Sequence, residues 1–226
     1  MSSAAELLDG LGRPSSIRLG GGFAFQPSRL GTGIVPLDHV LGGGLPRGRI
    51  TEIFGRPSAG STALVTRIAA SVTHGGEPIA WIDPLDQLDP DGLVTGGVRL
   101  AGVLWLRPKS LEDTLRAADL LLRTGGFGLV AMHLDHAARC GAAPWRRLQQ
   151  AVEQGPGRTV LLVSSTARVP DSGAALVLEL MARRARWTYG AGQRLLLEGI
   201  DSHLTVVRSR FSHVGNTVIL PWRTAA

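Results

Sequence analysis

The chain has one cysteine, Cys140, and one lysine, Lys109, and nowhere a run of apolar residues long enough to span a bilayer. A single cysteine excludes an intramolecular disulfide and fits a reducing compartment. No cysteine-protease signature surrounds it. The N-terminus, Met1 to Asp9, is polar and acidic where a secretory signal would be basic and then apolar. A cytosolic protein with no membrane partner is the expectation. With 226 residues, 44% of them hydrophobic, the chain can bury one sizeable core.

Charge is unevenly placed. Residues 1–138 hold 12 basic and 13 acidic side chains, whereas residues 139–226 hold 12 and 5. The net +6 therefore lies in the last part of the chain. That placement makes an acidic partner plausible, either nucleic acid or an acidic protein face.

Periodicity gives the architecture. Residues 1–30 are glycine-rich, with a helix expected at Ala4–Leu11, a strand at Ser16–Leu19 and a break at Gly20–Gly22. Leu37, Val40 and Leu41 form a short helical stripe that Gly42–Gly44 closes. Strands are expected at Arg49–Phe54, Pro78–Ile82, Val103–Leu106, Leu129–Met132 and Thr159–Val163. Between them lie helices from Ser61 to about Thr73, after Ser110, and at Trp145–Gln154. Ser110 is an N-cap with Asp113 three residues on, and Leu111, Leu115, Ala118 and Leu122 make its apolar stripe.

Strand–helix alternation implies a mostly parallel sheet flanked by helices, an α/β fold. From Ala174 the pattern changes to consecutive strands at Ala175–Trp187, Arg194–Glu198, His203–Arg210 and Thr217–Leu220. These predict an antiparallel C-terminal β extension of one sheet edge, which carries Arg183, Arg184, Arg186, Arg194, Arg208 and Arg210.

The stretch Gly55-Arg-Pro-Ser-Ala-Gly60-Ser61-Thr62, between a strand and a helix, matches a phosphate-binding loop except that Ser61 stands where the lysine belongs. Gly55 and Gly60 can serve simply as a strand-to-helix turn, or their loop can bind an anion or nucleotide through backbone amides at the helix N-terminus. No metal site is expected. His133, Asp135 and His136 fall short of a ligand pattern, and Asp83, Asp86, Asp89 and Asp91 read as a solvated turn before a cation site. Arg184 and Arg186 share one strand face and Arg183 the other. The plain reading is an edge strand guarded by charge; the sharper one is contact with DNA phosphates or an acidic protein. Trp187, Phe211 and Trp222 read as packing residues.

Together these motifs resemble the RecA-type ATPase core over most of the chain. The resemblance rests on Ser16–Gly20, Gly31–Gly33 through Asp38, Gly44–Ile50, the glycine loop, and Ala80–Asp83 followed by Leu88–Pro90. It divides the chain into a segment at 1–30, which packs on the neighbouring subunit in RecA, and one core domain at 31–226. It also exposes departures. Ser61 replaces the lysine, and the catalytic glutamate falls at Leu85. The metal-holding aspartate falls at His133, and the γ-phosphate-sensing glutamine at Thr166. The resemblance thus implies a pseudo-ATPase without a working ATP or magnesium cofactor.

On the same resemblance the two DNA loops are expected in shortened form at Ala137–Pro144 and Ala167–Gly173, and the core is expected without RecA's large C-terminal domain. A core so reduced looks like the ImuA-type SOS proteins. That likeness implies an accessory of mutagenic translesion DNA synthesis. Its expected partners are ImuB (a Y-family polymerase homologue), RecA, and indirectly an error-prone replicative polymerase, with at most weak DNA binding. The alternatives are a DNA-binding or variant ATP-binding RecA homologue, in which Arg56 or a partner's arginine replaces the lysine, and a SulA-like cell-division inhibitor.

Overall fold

The computed structural model describes residues 27–134, 141–156, 158–189 and 195–223. The elements expected at Ala4–Leu11, Ser16–Leu19 and Gly20–Gly22, most of the segment 1–30, Asp135, His136, Cys140 and Arg194 lie outside the described residues.

Five parallel strands form the centre: β3 (Ile50–Phe54), β4 (Ile79–Ile82), β5 (Val103–Leu106), β6 (Leu129–Leu134) and β7 (Val160–Ser165). They are short, apolar and, apart from β5, buried almost throughout, as strands covered on both faces must be. Before them, β1 (Arg29–Leu30) and β2 (Leu45–Pro46) form a small antiparallel pair around α1 (Val35–Leu41). Gly42 ends α1 in the left-handed region, with φ 70°, and its amide donates to carbonyls of the last turn.

Helix α2 (Ser61–His74) follows β3. Leu64, Ile68 and Val72 face one core with Leu37, Leu41 and Leu93. Helices α4 (Leu111–Thr124) and α5 (Ala142–Gln154) cover the opposite face, where Ala118, Leu122, Trp145 and Leu148 pack together. Ser110 caps α4 as its sequence requires. Its Oγ accepts from the Asp113 amide at 3.0 Å and donates to the Asp113 carboxylate at 2.7 Å. The short α3 (Pro90–Thr95) was not anticipated, although Asp89 as N-cap and Pro90 at its first position are a start signal.

Strand β8 (Leu176–Tyr189) lies parallel to β3, and β9 (Leu195–Ser209) and β10 (Thr217–Arg223) continue the sheet antiparallel, giving the order β10-β9-β8-β3-β7-β6-β4-β5. The expected α/β fold with an antiparallel C-terminal extension is what forms. Several strand ends shift by one to three residues, and two differences matter more. Helix α5 starts at Ala142, not Trp145. The two strands expected at Arg194–Glu198 and His203–Arg210 are one, β9. Gly199 between them is no turn. A Cβ there would collide with the Trp222 carbonyl of β10, so glycine permits the close approach of strands.

Candidate functional site

Because β3, β7, β6 and β4 are parallel neighbours, the segments following them emerge along one edge of the sheet. This is where open α/β sheets place ligand sites. The fold brings Ser61, Leu85, His133 and Thr166 to this edge: Ser61 opens α2, Leu85 follows β4, His133 lies near the end of β6, and Thr166 follows β7. The described residues lining a small cavity of about 60 Å³ there include Thr62, Asp83, Gln87, His133 and Ser164, but no lysine or arginine.

Three of its polar groups are engaged inside the protein. The His133 Nδ1 lies 3.0 Å from the Ser164 hydroxyl across the β6–β7 pair. Asp83, only 4% exposed, accepts from the Leu88 amide at 2.8 Å and so shapes the turn after β4. Asp89 caps α3, and Asp86 pairs with Arg107 at 3.3 Å. The carboxylates of this turn are thus spent separately. Among the described residues no group of three or more metal-ligating side chains is assembled.

The glycine loop is shaped by packing. A Cβ on Gly55 would collide with the Leu180 carbonyl of β8. Gly60 has φ 97°, and a Cβ there would collide with the Trp222 indole nitrogen. Trp222 donates from Nε1 to the Ser202 hydroxyl at 3.1 Å, and Ser202 donates to the Ala59 carbonyl at 2.6 Å. Strands β9 and β10 therefore hold the loop through a two-bond staple. Ser58, with φ 63°, takes the left-handed region without being glycine, a strain that the surrounding contacts must hold.

Helix α2 begins after Gly60 without a side-chain cap and with no acidic residue in its first turn. Its N-terminus still attracts anions. Beside Thr62, a groove of about 940 Å³ opens between α1, α2, α3 and Trp222.

The arginines do not converge. Arg184 lies opposite Asp201, and Arg208 opposite Val177, seven residues further along β9, ~23 Å at strand spacing. The Arg186 guanidinium is 3.5 Å from the Asp201 carboxylate, leaving exposed Arg184 without an ion pair among the described residues. Arg183 sits where β8 shifts register against β9. Arg210 donates its amide to the Ala175 carbonyl. Trp187, expected to pack, is 55% exposed, because β8 there runs past the body of the sheet. Phe211 does pack, 5.4 Å beneath the Arg29 guanidinium.

The loop after β7 is tied down. Glu52, fully buried in β3, accepts from the Val169 amide and the Ser172 hydroxyl, both at 2.7 Å. Sequence reading missed this carboxylate and Ser202, and gave Trp222 its packing role without its partners. Each meets a partner far along the chain, and no local pattern signals such contacts.

Residues 2–143 match the model of the RecA N-terminal domain family. The chain belongs to that family. RecA of Rubrobacter xylanophilus is 38% identical over 122 residues, covering 54% of this chain and 36% of that protein. RecA of Leifsonia xyli subsp. xyli is 36% identical over 133 residues, covering 58% and 37%. The chain spans little more than a third of the length of these curated relatives. The crystal structure of the RadB recombinase superposes with a TM-score of 0.66 at 19% identity, covering 85% of this chain and 95% of that one. That likeness concerns the fold. Among the described residues no helix is long and apolar enough to cross a membrane.

Proposed function

We propose that this RecA-family chain is a non-enzymatic accessory protein of the SOS response. On this reading it acts in mutagenic translesion synthesis by binding an ImuB-like Y-family polymerase homologue, and RecA itself through the segment 1–30. The observation that carries the reading is the set Ser61, Leu85, His133 and Thr166. All four stand at one sheet edge where phosphoryl transfer needs a lysine, a glutamate, an aspartate and a glutamine.

The lysine alone is a large loss. A cation 4 Å from a phosphate contributes about 4 kcal/mol at an effective dielectric constant of 20, roughly a thousandfold in affinity. A serine hydroxyl cannot replace that. The loss of the other three groups removes the aspartate that helps Thr62 hold magnesium and the glutamate that activates water.

The decisive experiment pairs two measurements on the full chain. Labelled ATP should show neither hydrolysis nor tight binding, with or without DNA. Pull-downs should capture the ImuB-like protein or RecA. Hydrolysis abolished by Thr62→Ala would return the chain to the ATPases, and capture of neither partner would end the adaptor reading. The groove beside Thr62 favours one second reading, nucleotide binding without turnover. It would be revealed by saturable ATP binding with no phosphate release.

A further inference from the structure

We propose that the edge of β8 from Met181 to Tyr189 is a strand-addition site for an extended partner segment in which apolar and acidic residues alternate. The proposal deepens the accessory reading above by naming a surface and the chemistry of what it binds.

Among the described residues one sheet edge is open to a long partner; β9 past its pairing with β10 offers only Leu195–Glu198. Strand β5 offers four residues. Strand β10 carries Pro221 in its middle, which lacks an amide and blunts pairing. Strand β8 differs. Its pairing with β3 ends at Glu179, whereas its pairing with β9 runs on to Tyr189. Past Glu179, and regularly from Arg184 after the register shift at Ala182–Arg184, alternate amides and carbonyls of β8 point away from β9 with no described strand beside them. That row is a template for another strand.

The side chains specify the occupant. Directly opposed residues of an antiparallel pair share a face, so Trp187 and Tyr189 lie with Leu197 and Leu195 on one side of the ribbon. Trp187, Tyr189 and Leu195 are 55%, 77% and 56% exposed. Arg184 and Arg186 point to the other side by the two-residue period of the strand. Between Met181 and Tyr189 the chain has three arginines and no acidic residue. A strand laid along this edge therefore meets an aromatic face on one side and, on the other, exposed Arg184, which has no ion pair among the described residues, beside the Arg186–Asp201 pair. Alternating apolar and acidic residues satisfy both at once.

Two competing occupants fit less well. A second copy pairing edge to edge would set arginines against arginines, which is destabilising. Single-stranded nucleic acid needs cations and aromatic rings in one groove, whereas this ribbon places Arg184 and Arg186 on the face opposite Trp187 and Tyr189.

The test uses the full chain and two synthetic ten-residue peptides, one alternating valine with glutamate and one alternating valine with lysine. Hydrogen exchange should show the glutamate peptide slowing the amides of 181–189 at least tenfold, and the lysine peptide leaving them unchanged. Arg184→Glu should weaken the glutamate peptide tenfold or more while the melting temperature stays within a degree or two of wild type. Trp187→Ser should weaken it without reversing the charge preference. Equal protection by both peptides, or by neither, overturns the proposal. So does protection of these amides by single-stranded DNA, or by self-association of the chain without peptide. Peptide binding together with failed capture of ImuB and RecA would leave the edge standing and remove the accessory partners. Capture without peptide binding would do the reverse.

Discussion

Replacing Ser202 with alanine tests whether the C-terminal strands hold the glycine loop. Ser202 is fully buried, donates to the Ala59 carbonyl at 2.6 Å and accepts from Trp222 Nε1 at 3.1 Å. Alanine removes one oxygen and orphans two groups. Ala59 is itself buried, so its carbonyl loses a partner that water cannot easily replace, at about 1–3 kcal/mol. Trp222 is half-buried and can reach solvent, so the loss at its N–H is nearer 0.5–1.5 kcal/mol. Together these give about 2–4 kcal/mol. For a domain of this size that is a fall of roughly 5–12 °C in melting temperature.

Urea unfolding should show a lower midpoint with an unchanged slope, since the exposed area is the same. Trp222→Phe keeps the ring against Gly60 and removes only the N–H, so it should cost about 1 kcal/mol. The double variant should then fall short of the sum of the singles by about that amount, because both substitutions remove the same bond. A Ser202→Ala change below about 0.5 kcal/mol, or strict additivity with Trp222→Phe, would refute the staple.

Further outcomes follow from the same geometry. Gly60→Ala meets both a left-handed backbone, costing about 1–2 kcal/mol, and the Trp222 ring. It should destabilise by more than either penalty alone, as measured by calorimetry. Ser61→Lys should strengthen ATP binding yet leave steady-state hydrolysis at background, because Leu85, His133 and Thr166 remain; turnover restored by this one change would show that the other positions are dispensable. Glu52→Ala should cost about 3 kcal/mol and expose 167–173 to limited proteolysis, since the carboxylate holds Val169 and Ser172. Burial pushes the Asp119 carboxyl up, but hydrogen bonds and charge from Arg123 and Arg147 outweigh it and hold the group below its ordinary value of 3.8. Its contribution is therefore present above pH 3.8 and lost as pH falls through the lower folded value. Asp119→Asn should flatten the acid limb of stability against pH in that window.

The sheet and its helices were legible because their signals are local. Ser110 and Asp113 announce α4, and near-continuous apolar runs announce strands buried on both faces. The hairpin was less legible. Gly199 and the polar residues after it look like a turn in sequence, but the glycine is there for a carbonyl of β10 that approaches from across the sheet. Trp187 looks like core and is exposed, because exposure depends on where β8 outruns its neighbours, a property of the whole sheet and not of the residue. In the site, the positions of Ser61, Leu85, His133 and Thr166 along one edge follow from parallel strands and could be anticipated. The contacts of Ser202 with Ala59, and of Glu52 with Ser172, bridge more than a hundred residues, and no periodicity encodes them.

These contacts also decide what a glycine motif is worth as a sign of chemistry. Gly55 and Gly60 are each required by a neighbour inside the protein, the Leu180 carbonyl and the Trp222 indole, whether or not a nucleotide ever arrives. Their presence is therefore equally compatible with a working loop and with an idle one. Ser61 and Leu85 carry no such structural demand. Ser61 caps nothing, and Leu85 is 37% exposed in a turn that Asp83 holds by itself. Only phosphoryl transfer would call for a lysine or glutamate at those places. The proposed loss of phosphoryl transfer therefore rests on Ser61 and Leu85, which packing leaves free, and draws nothing from the glycines.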